Sequence, residues 1–134
     1  MKKSLMALLA MGTLLSAAEY SKEDRINDMR QMEMDMALIQ KGFLYHDANL
    51  IKQGAINLKK TVSKVEPPKS DVDKLAPGFS SYKFKFGKKD ADKIAKLSDK
   101  IIENFNNKRP NQATREYNTI LKNCMACHVK LRKK

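Results

Sequence analysis

Four stretches of the chain carry apolar residues at spacings of three and four, the pattern of an amphipathic helix with one buried face. The first stretch follows Ser21 and the second follows Asp47, and both residue types favour the N-cap position. The pattern predicts that the second helix ends at the proline pair beginning with Pro67, that the third starts near Asp90, and that Asn111 caps the fourth. The four stripes consist, in chain order, of Ile26, Met29, Met32, Met36, Ile39 and Phe43; Ile51, Ala55, Leu58, Val62 and Val65; Ile94, Leu97, Ile101 and Phe105; and Ala113, Tyr117, Leu121, Cys124, His128 and Leu131.

A helix with a single apolar face must bury that face against other elements, so these helices are expected to pack on one another. The links between the first two helices and between the last two are short, which favours antiparallel neighbours. The sequence therefore predicts an all-α protein, an antiparallel up-down-up-down four-helix bundle.

The segment 66–89 is longer than a bundle connection needs. Within it, residues 81–86 alternate apolar and polar, as in a half-buried strand. No partner strand is predicted elsewhere in the chain. We therefore expect extended chain here, with Tyr82, Phe84 and Phe86 covering an edge of the bundle rather than acting on a cofactor.

The N-terminal residues have the composition of a cleavable export signal. Two lysines precede an apolar run at 5–15, and small residues follow as far as Ala18. This run is shorter than the roughly 20 residues that a membrane-spanning helix needs. We expect residues 1–18 to be a signal peptide and 19–134 to form one exported domain in the periplasm, without stable membrane insertion.

The most specific motif is the Cys-x-x-Cys-His sequence formed by Cys124, Cys127 and His128. This spacing is the attachment motif of c-type haem, in which two thiols add across the haem vinyl groups and the imidazole ligates the iron. On a helix the three side chains fall within an arc of about 100°. Since they lie on the fourth apolar stripe, one covalent haem c is expected in the bundle interior.

Two other uses of a cysteine pair compete with haem. A thioredoxin-like dithiol would sit on a strand–helix framework, and the chain shows no βαβ pattern. A zinc site would need a second Cys/His pair, whereas the sequence has only two cysteines and one further histidine, His46. We therefore favour haem and expect His46 to lie at the surface.

The residue opposite His128 decides the iron's coordination. In an up-down-up-down bundle the end of the fourth helix lies beside the start of the first, which places Met29 nearly level with His128. Met32 lies about 4.5 Å beyond Met29 along the helix and is an alternative iron ligand. Met36 lies about 10 Å beyond Met29, too far to ligate the same iron. Methionine on a helix stripe is usually core filling, so an open coordination site is an alternative.

A Cys-x-x-Cys-His motif close to the C-terminus resembles the class II cytochromes c, the family of cytochrome c′ and its low-spin relatives. Further anchors of the resemblance are Arg132, four residues after His128, and Arg25, four residues before Met29. The resemblance implies that Met29 is the distal ligand and that Arg25 pairs with a haem propionate. It also implies that Arg132 lies near the proximal face, and that the protein is a candidate homodimer. Ordinary solvated arginines are the alternative at both positions.

The formal net charge of the chain is +12, and loss of residues 1–18 would leave +10. The basic residues are dispersed and no aromatic–basic binding motif appears, which argues against nucleic acid as a partner. A basic surface favours steering onto acidic partners. We thus expect a non-enzymatic electron carrier between periplasmic redox proteins with acidic docking surfaces. A five-coordinate haem protein that binds small gases and a dithiol oxidoreductase using Cys124 and Cys127 are the alternatives.

Overall fold

The computed structural model describes residues 20–66 and 79–131, with side chains described at 20–66 and 85–130. The expected signal peptide and Arg132 lie outside these residues. The described backbone forms four helices and no strand, so the prediction of an all-α protein with four helices is confirmed for this part of the chain. The helices are α1 (Lys22–Tyr45), α2 (Ala48–Val62), α3 (Phe79–Asn106) and α4 (Pro110–Leu131).

The first two helices begin where the sequence predicts. Ser21 and Asp24 form a capping box, in which the Asp24 N–H donates to Ser21 Oγ at 3.1 Å and the Ser21 N–H donates to Asp24 Oδ2 at 2.8 Å. At α2, Asp47 Oδ1 accepts from the N–H groups of Asn49 at 2.8 Å and Leu50 at 3.2 Å. Both predicted N-caps are therefore confirmed, because each satisfies N–H groups that the first turn leaves free.

The start of α3 differs from the prediction. The helix begins at Phe79 rather than near Asp90, so residues 81–86 are helical and the expected extended chain is wrong. A lone extended segment would leave its backbone polar groups without partners, whereas a helix satisfies them internally. The apolar positions Tyr82 and Phe86 also suit a helix, since they are four residues apart and share one face.

The sequence pattern also predicts the start of α4 and the end of α2 at the wrong residues. α4 starts at Pro110, so Asn111 lies inside the helix and is not its cap. Proline is favoured at the first helical position, because its missing N–H is not needed there. α2 ends at Val62, ahead of Pro67, and Ser63 Oγ donates to the Lys59 carbonyl at 2.7 Å.

The core forms along three interfaces, between α1 and α2, α2 and α3, and α3 and α4. α1 and α2 approach most closely at two glycines: a Cβ at Gly42 would lie 2.6 Å from Ile51 Cγ1, and one at Gly54 would lie 2.8 Å from the Asp35 carbonyl oxygen. Fully buried apolar side chains come from all four helices: Ile39, Ile51, Leu58, Ile101 and Ile120.

Between α1 and α4 the described helices form no interface of comparable extent. Their aromatic contact is Phe43 against Tyr117, an edge-on pair with ring centroids 5.9 Å apart. Phe105 of α3 lies 6.4 Å from Phe43 in the same cluster. Aromatic packing thus joins α1, α3 and α4 at this level of the fold, and a cavity lies between the helices beyond Tyr117.

Candidate functional site

A cavity of about 460 Å³ is lined by side chains from α1, α3 and α4 and by residues at the end of α2. This volume falls within the usual range for small-molecule and cofactor sites. Its lining combines apolar side chains with two thiols, one imidazole and four thioethers, three of them from α1. The lining includes Met29, Met32 and Met36 from α1, Asp90 and Ile94 from α3, and Tyr117, Leu121, Cys124, Met125, Cys127 and His128 from α4.

The Cys-x-x-Cys-His motif lies on the last turns of α4, and all three of its chemical side chains line the cavity. Helical spacing is the reason, because offsets of three and four residues keep side chains on one face. Cys124, Cys127 and His128 are each half-buried, and the two thiols do not form a disulfide. The sequence prediction that they share an interior face is consistent with this placement.

The local environment keeps both thiols protonated. Burial raises the pKa of Cys127 to about 11, and the nearby Asp90 carboxylate adds to the shift. Burial likewise raises the pKa of Cys124, and Asp90 contributes there too. Reactive dithiols need the opposite, a lowered pKa that supplies thiolate near neutral pH. The arrangement therefore suits thiols shielded inside a site better than thiols used for disulfide exchange.

Three methionines of α1 face the same cavity from the opposite side. Met32 is buried at 9% exposure, while Met29 and Met36 are half-buried and pack against the core. The sequence spacing favours Met29 and places Met36 too far along α1 for the same iron. Because all three line the cavity, Met29 as the iron ligand stays a prediction.

Asp90 also lines the cavity, although the sequence pattern predicts only that a helix starts near it. Its Oδ2 atom is buried and has no hydrogen-bond partner among the described residues. The carboxylate lies close enough to both thiols to raise their pKa values. The sequence contained a signal for this residue, since Asp90 stands four residues before Ile94 and is therefore in register with the apolar stripe of α3.

Arg25 and His46, two further residues considered from the sequence, do not line the cavity. Arg25 is half-buried near the start of α1 but does not line the cavity, so the structure does not bring it to the motif. His46 is exposed, as expected, and ends α1 with a positive φ of 54°. Its ring centroid lies 5.7 Å from that of Phe105, in the aromatic cluster outside the cavity lining.

In residues 20–66 and 79–131, no three His, Cys, Asp or Glu side chains are grouped so that they could hold a metal ion. None of the helices described is both long and apolar enough to cross a membrane. Comparisons with protein-family models, curated proteins and solved structures found no match to this chain.

Proposed function

We propose that this chain is a monohaem c-type cytochrome that carries single electrons between redox proteins of the periplasm. The observation that carries the proposal is the meeting of the Cys124–His128 motif of α4 and the methionines of α1 in one cavity. Cys124 and Cys127 would hold the haem covalently, and His128 would ligate its iron. The residues 1–18 act as the export signal, and the rest of the chain is the mature domain.

The donor set fits a covalent haem. Thiols one helical turn apart, an adjacent imidazole and facing thioethers are the groups that attach and ligate haem iron. When bound, haem supplies a one-electron Fe(III)/Fe(II) couple. The largely apolar walls would shield the inner part of a bound haem from water, and a thioether ligand would raise the potential relative to stronger donors. Met125 lines the cavity yet is 62% exposed, so the cavity reaches the surface where a partner can approach.

The bundle is proposed to be antiparallel, up-down-up-down. Contacts between α1 and α2 support this direction, since Gly42 approaches Ile51 while Gly54 approaches Ile39, further back along α1. In an antiparallel bundle the start of α1 lies beside the end of α4, so Met29, the first methionine of α1, is expected nearest the level of His128. Met29 is therefore proposed as the sixth ligand. By resemblance to the class II cytochromes c, Arg25 and Arg132 belong to the haem environment.

Two alternatives compete with electron transfer. A five-coordinate haem that binds small gases would require all three α1 methionines to serve as packing only; three thioethers lining one cavity favour ligation instead. A dithiol oxidoreductase would require reactive thiols. The raised pKa values of Cys124 and Cys127 argue against it.

The test is expression of the full chain in a host that assembles c-type cytochromes in its periplasm. We expect a coloured protein with a Soret band and a mass increased by one haem, and a ferrous form that resists CO at neutral pH. Cys124→Ala combined with Cys127→Ala is the matched control and should lose covalent haem. Pale wild-type protein, or a reversible disulfide without added haem mass, would contradict the proposal, and rapid CO binding would favour the five-coordinate alternative.

A further inference from the structure

The outer side of α3 carries a hollow of about 510 Å³, separate from the cavity that holds the cysteines. Five of its six lining residues are lysines and the sixth is Asp92. We call these lysines the lysine face: Lys85, Lys88, Lys89, Lys93 and Lys96.

The positive charge of the lysine face is largely uncompensated. Lys88 Nζ lies 3.7 Å from Asp92 Oδ1, at the long end of ion-pair distances. Lys93 Nζ donates to the neutral Asn123 amide oxygen at 3.0 Å. Lys85, Lys89 and Lys96 form no ion pair with another described residue. By contrast, Lys59 of α2 is paired to α3 through Asp99 at 2.8 Å.

Helical geometry makes these lysines neighbours of one another. Lys85 and Lys89 are four residues apart, as are Lys89 and Lys93, and such like-charged pairs destabilise an isolated helix. Asp92 is the one acidic residue among the six that line the hollow, so the lysines outnumber it five to one. The clustering is therefore better explained by an anionic surface that binds there and relieves the repulsion.

The lysine face lies on the same helix segment as one wall of the cavity. Gly87, Asp90, Ala91 and Ile94 line the cavity from residues interleaved with the lysines. Because a helix with its side chains is about 10 Å across, a molecule bound at the lysine face is separated from the cavity by little more than one helix. That distance suits electron exchange with a cofactor held there.

We propose that the lysine face docks an acidic surface of a redox-partner protein. This inference rests on the proposed electron-carrier function and names its docking surface. A lipid surface is the less suitable occupant, because helices that lie on membranes insert large apolar side chains beside their basic residues. The exposed large apolar side chains in the described structure belong to α1, α2 and α4, and none of them lies on α3.

The test compares two triple variants of the mature haem protein that have the same net charge. Lys85→Gln, Lys89→Gln and Lys96→Gln remove three of the five charges of the lysine face, at exposed positions without ion pairs to described residues. Lys41→Gln, Lys52→Gln and Lys60→Gln are the control, at exposed positions on α1 and α2. A Soret band and unchanged helical circular dichroism in both variants separate this test from that of the haem itself.

Binding is measured with poly-L-glutamate as the acidic probe and with vesicles containing anionic lipid. We expect the lysine-face variant to bind poly-L-glutamate at least about tenfold more weakly than wild type, and the control within about twofold. In the wild type, backbone NMR shifts should move over residues 85–96, and added salt should reverse them. The rate of reduction by hexacyanoferrate(II), a small anion, should fall in the lysine-face variant more than in the control.

Three results would overturn the proposal. Equal loss of binding in the two variants would show that net charge alone matters. NMR shifts confined to α1 and α2 would place the docking surface elsewhere. Binding to anionic vesicles without binding to poly-L-glutamate would identify the face as a membrane contact.

Discussion

The proposed iron ligation can be tested with three variants of α1 that make the same chemical change. Met29→Leu, Met32→Leu and Met36→Leu each remove one thioether from the cavity and leave an apolar side chain of similar volume. Such swaps usually cost less than about 1.5 kcal/mol, so each variant should keep its fold. Replacing the half-buried Met29 should lower the free energy of unfolding less than replacing the buried Met32.

The geometry of a helix gives the expected difference between the variants. Met32 is three residues beyond Met29, a rise of about 4.5 Å, and Met36 is seven residues beyond it, a rise of about 10.5 Å. A sulfur–iron bond does not tolerate either displacement, so one methionine alone can serve a given iron position. Only Met29→Leu is therefore expected to open the sixth coordination site.

The assay is visible spectroscopy of the haem-loaded proteins. Met29→Leu should lose the weak sulfur-to-iron band near 700 nm and its ferrous form should bind CO, while the other two variants keep the wild-type spectrum. The reduction potential should fall in Met29→Leu, because the thioether that raises it is gone. If Met29→Leu keeps the band, or if Met32→Leu or Met36→Leu loses it, the proposed level of Met29 opposite His128 is wrong.

Three further predictions concern the helices around the cavity. Gly54→Ala should destabilise the protein by about 1–3 kcal/mol in urea unfolding, since the new methyl group would lie 2.8 Å from the Asp35 carbonyl oxygen. This steric cost outweighs the gain in helix propensity of about 1 kcal/mol, and the control Gln53→Ala, at an exposed neighbouring position, should be near neutral. Asp35→Asn should stabilise the protein at neutral pH, because burial raises the pKa of Asp35 and the buried carboxylate is therefore costly. The difference in free energy of unfolding between the variant and the wild type should shrink as the pH falls through that raised pKa and the wild-type carboxyl becomes protonated. A difference that grows in acid would contradict this expectation. Cys124→Ala combined with Cys127→Ala should lower the melting temperature by about 10 °C or more relative to haem-loaded wild type, and equal melting would show that the cofactor does not stabilise the bundle.

The parts of the fold that the sequence predicted well depend on local, repeated signals. Ser21 and Asp47 mark helix starts because their side chains bond to N–H groups only two or three residues away. The apolar stripes place Ile39, Ile101 and Ile120 in the core for the same reason, since helical spacing alone assigns the face. The Cys124–His128 motif reaches the cavity because it continues the stripe of α4.

The failures occurred where competing local patterns had no tertiary contact to decide between them. Residues 81–86 fit a strand period of two, but Tyr82 and Phe86 fit a helix period equally well. Pro110 can precede a helix or begin it, and Asn111 would cap the helix only in the first case. The cavity role of Asp90 depends on the packing of α3 against α4, which no single helix pattern contains.

The buried polar groups show how the bundle divides into a tightly packed part and an open part. Asp35 lies at the α1–α2 contact with 2% exposure, where Gln31 Nε2 donates to Oδ1 at 3.0 Å and Oδ2 has no hydrogen-bond partner within the described part of the chain. The close glycine contacts on the same interface keep these helices together despite that cost. Asp90 likewise has a buried oxygen that no described residue pairs with, but it faces a cavity rather than a packed interface. Because four-helix bundles normally bury the seam between the first and last helices, the separation of α1 from α4 exposes apolar and thioether groups that packing alone would have covered. A flat, largely apolar cofactor attached to α4 would restore the missing contacts to α1, which is why the proposed haem explains the shape of the bundle as well as its chemistry.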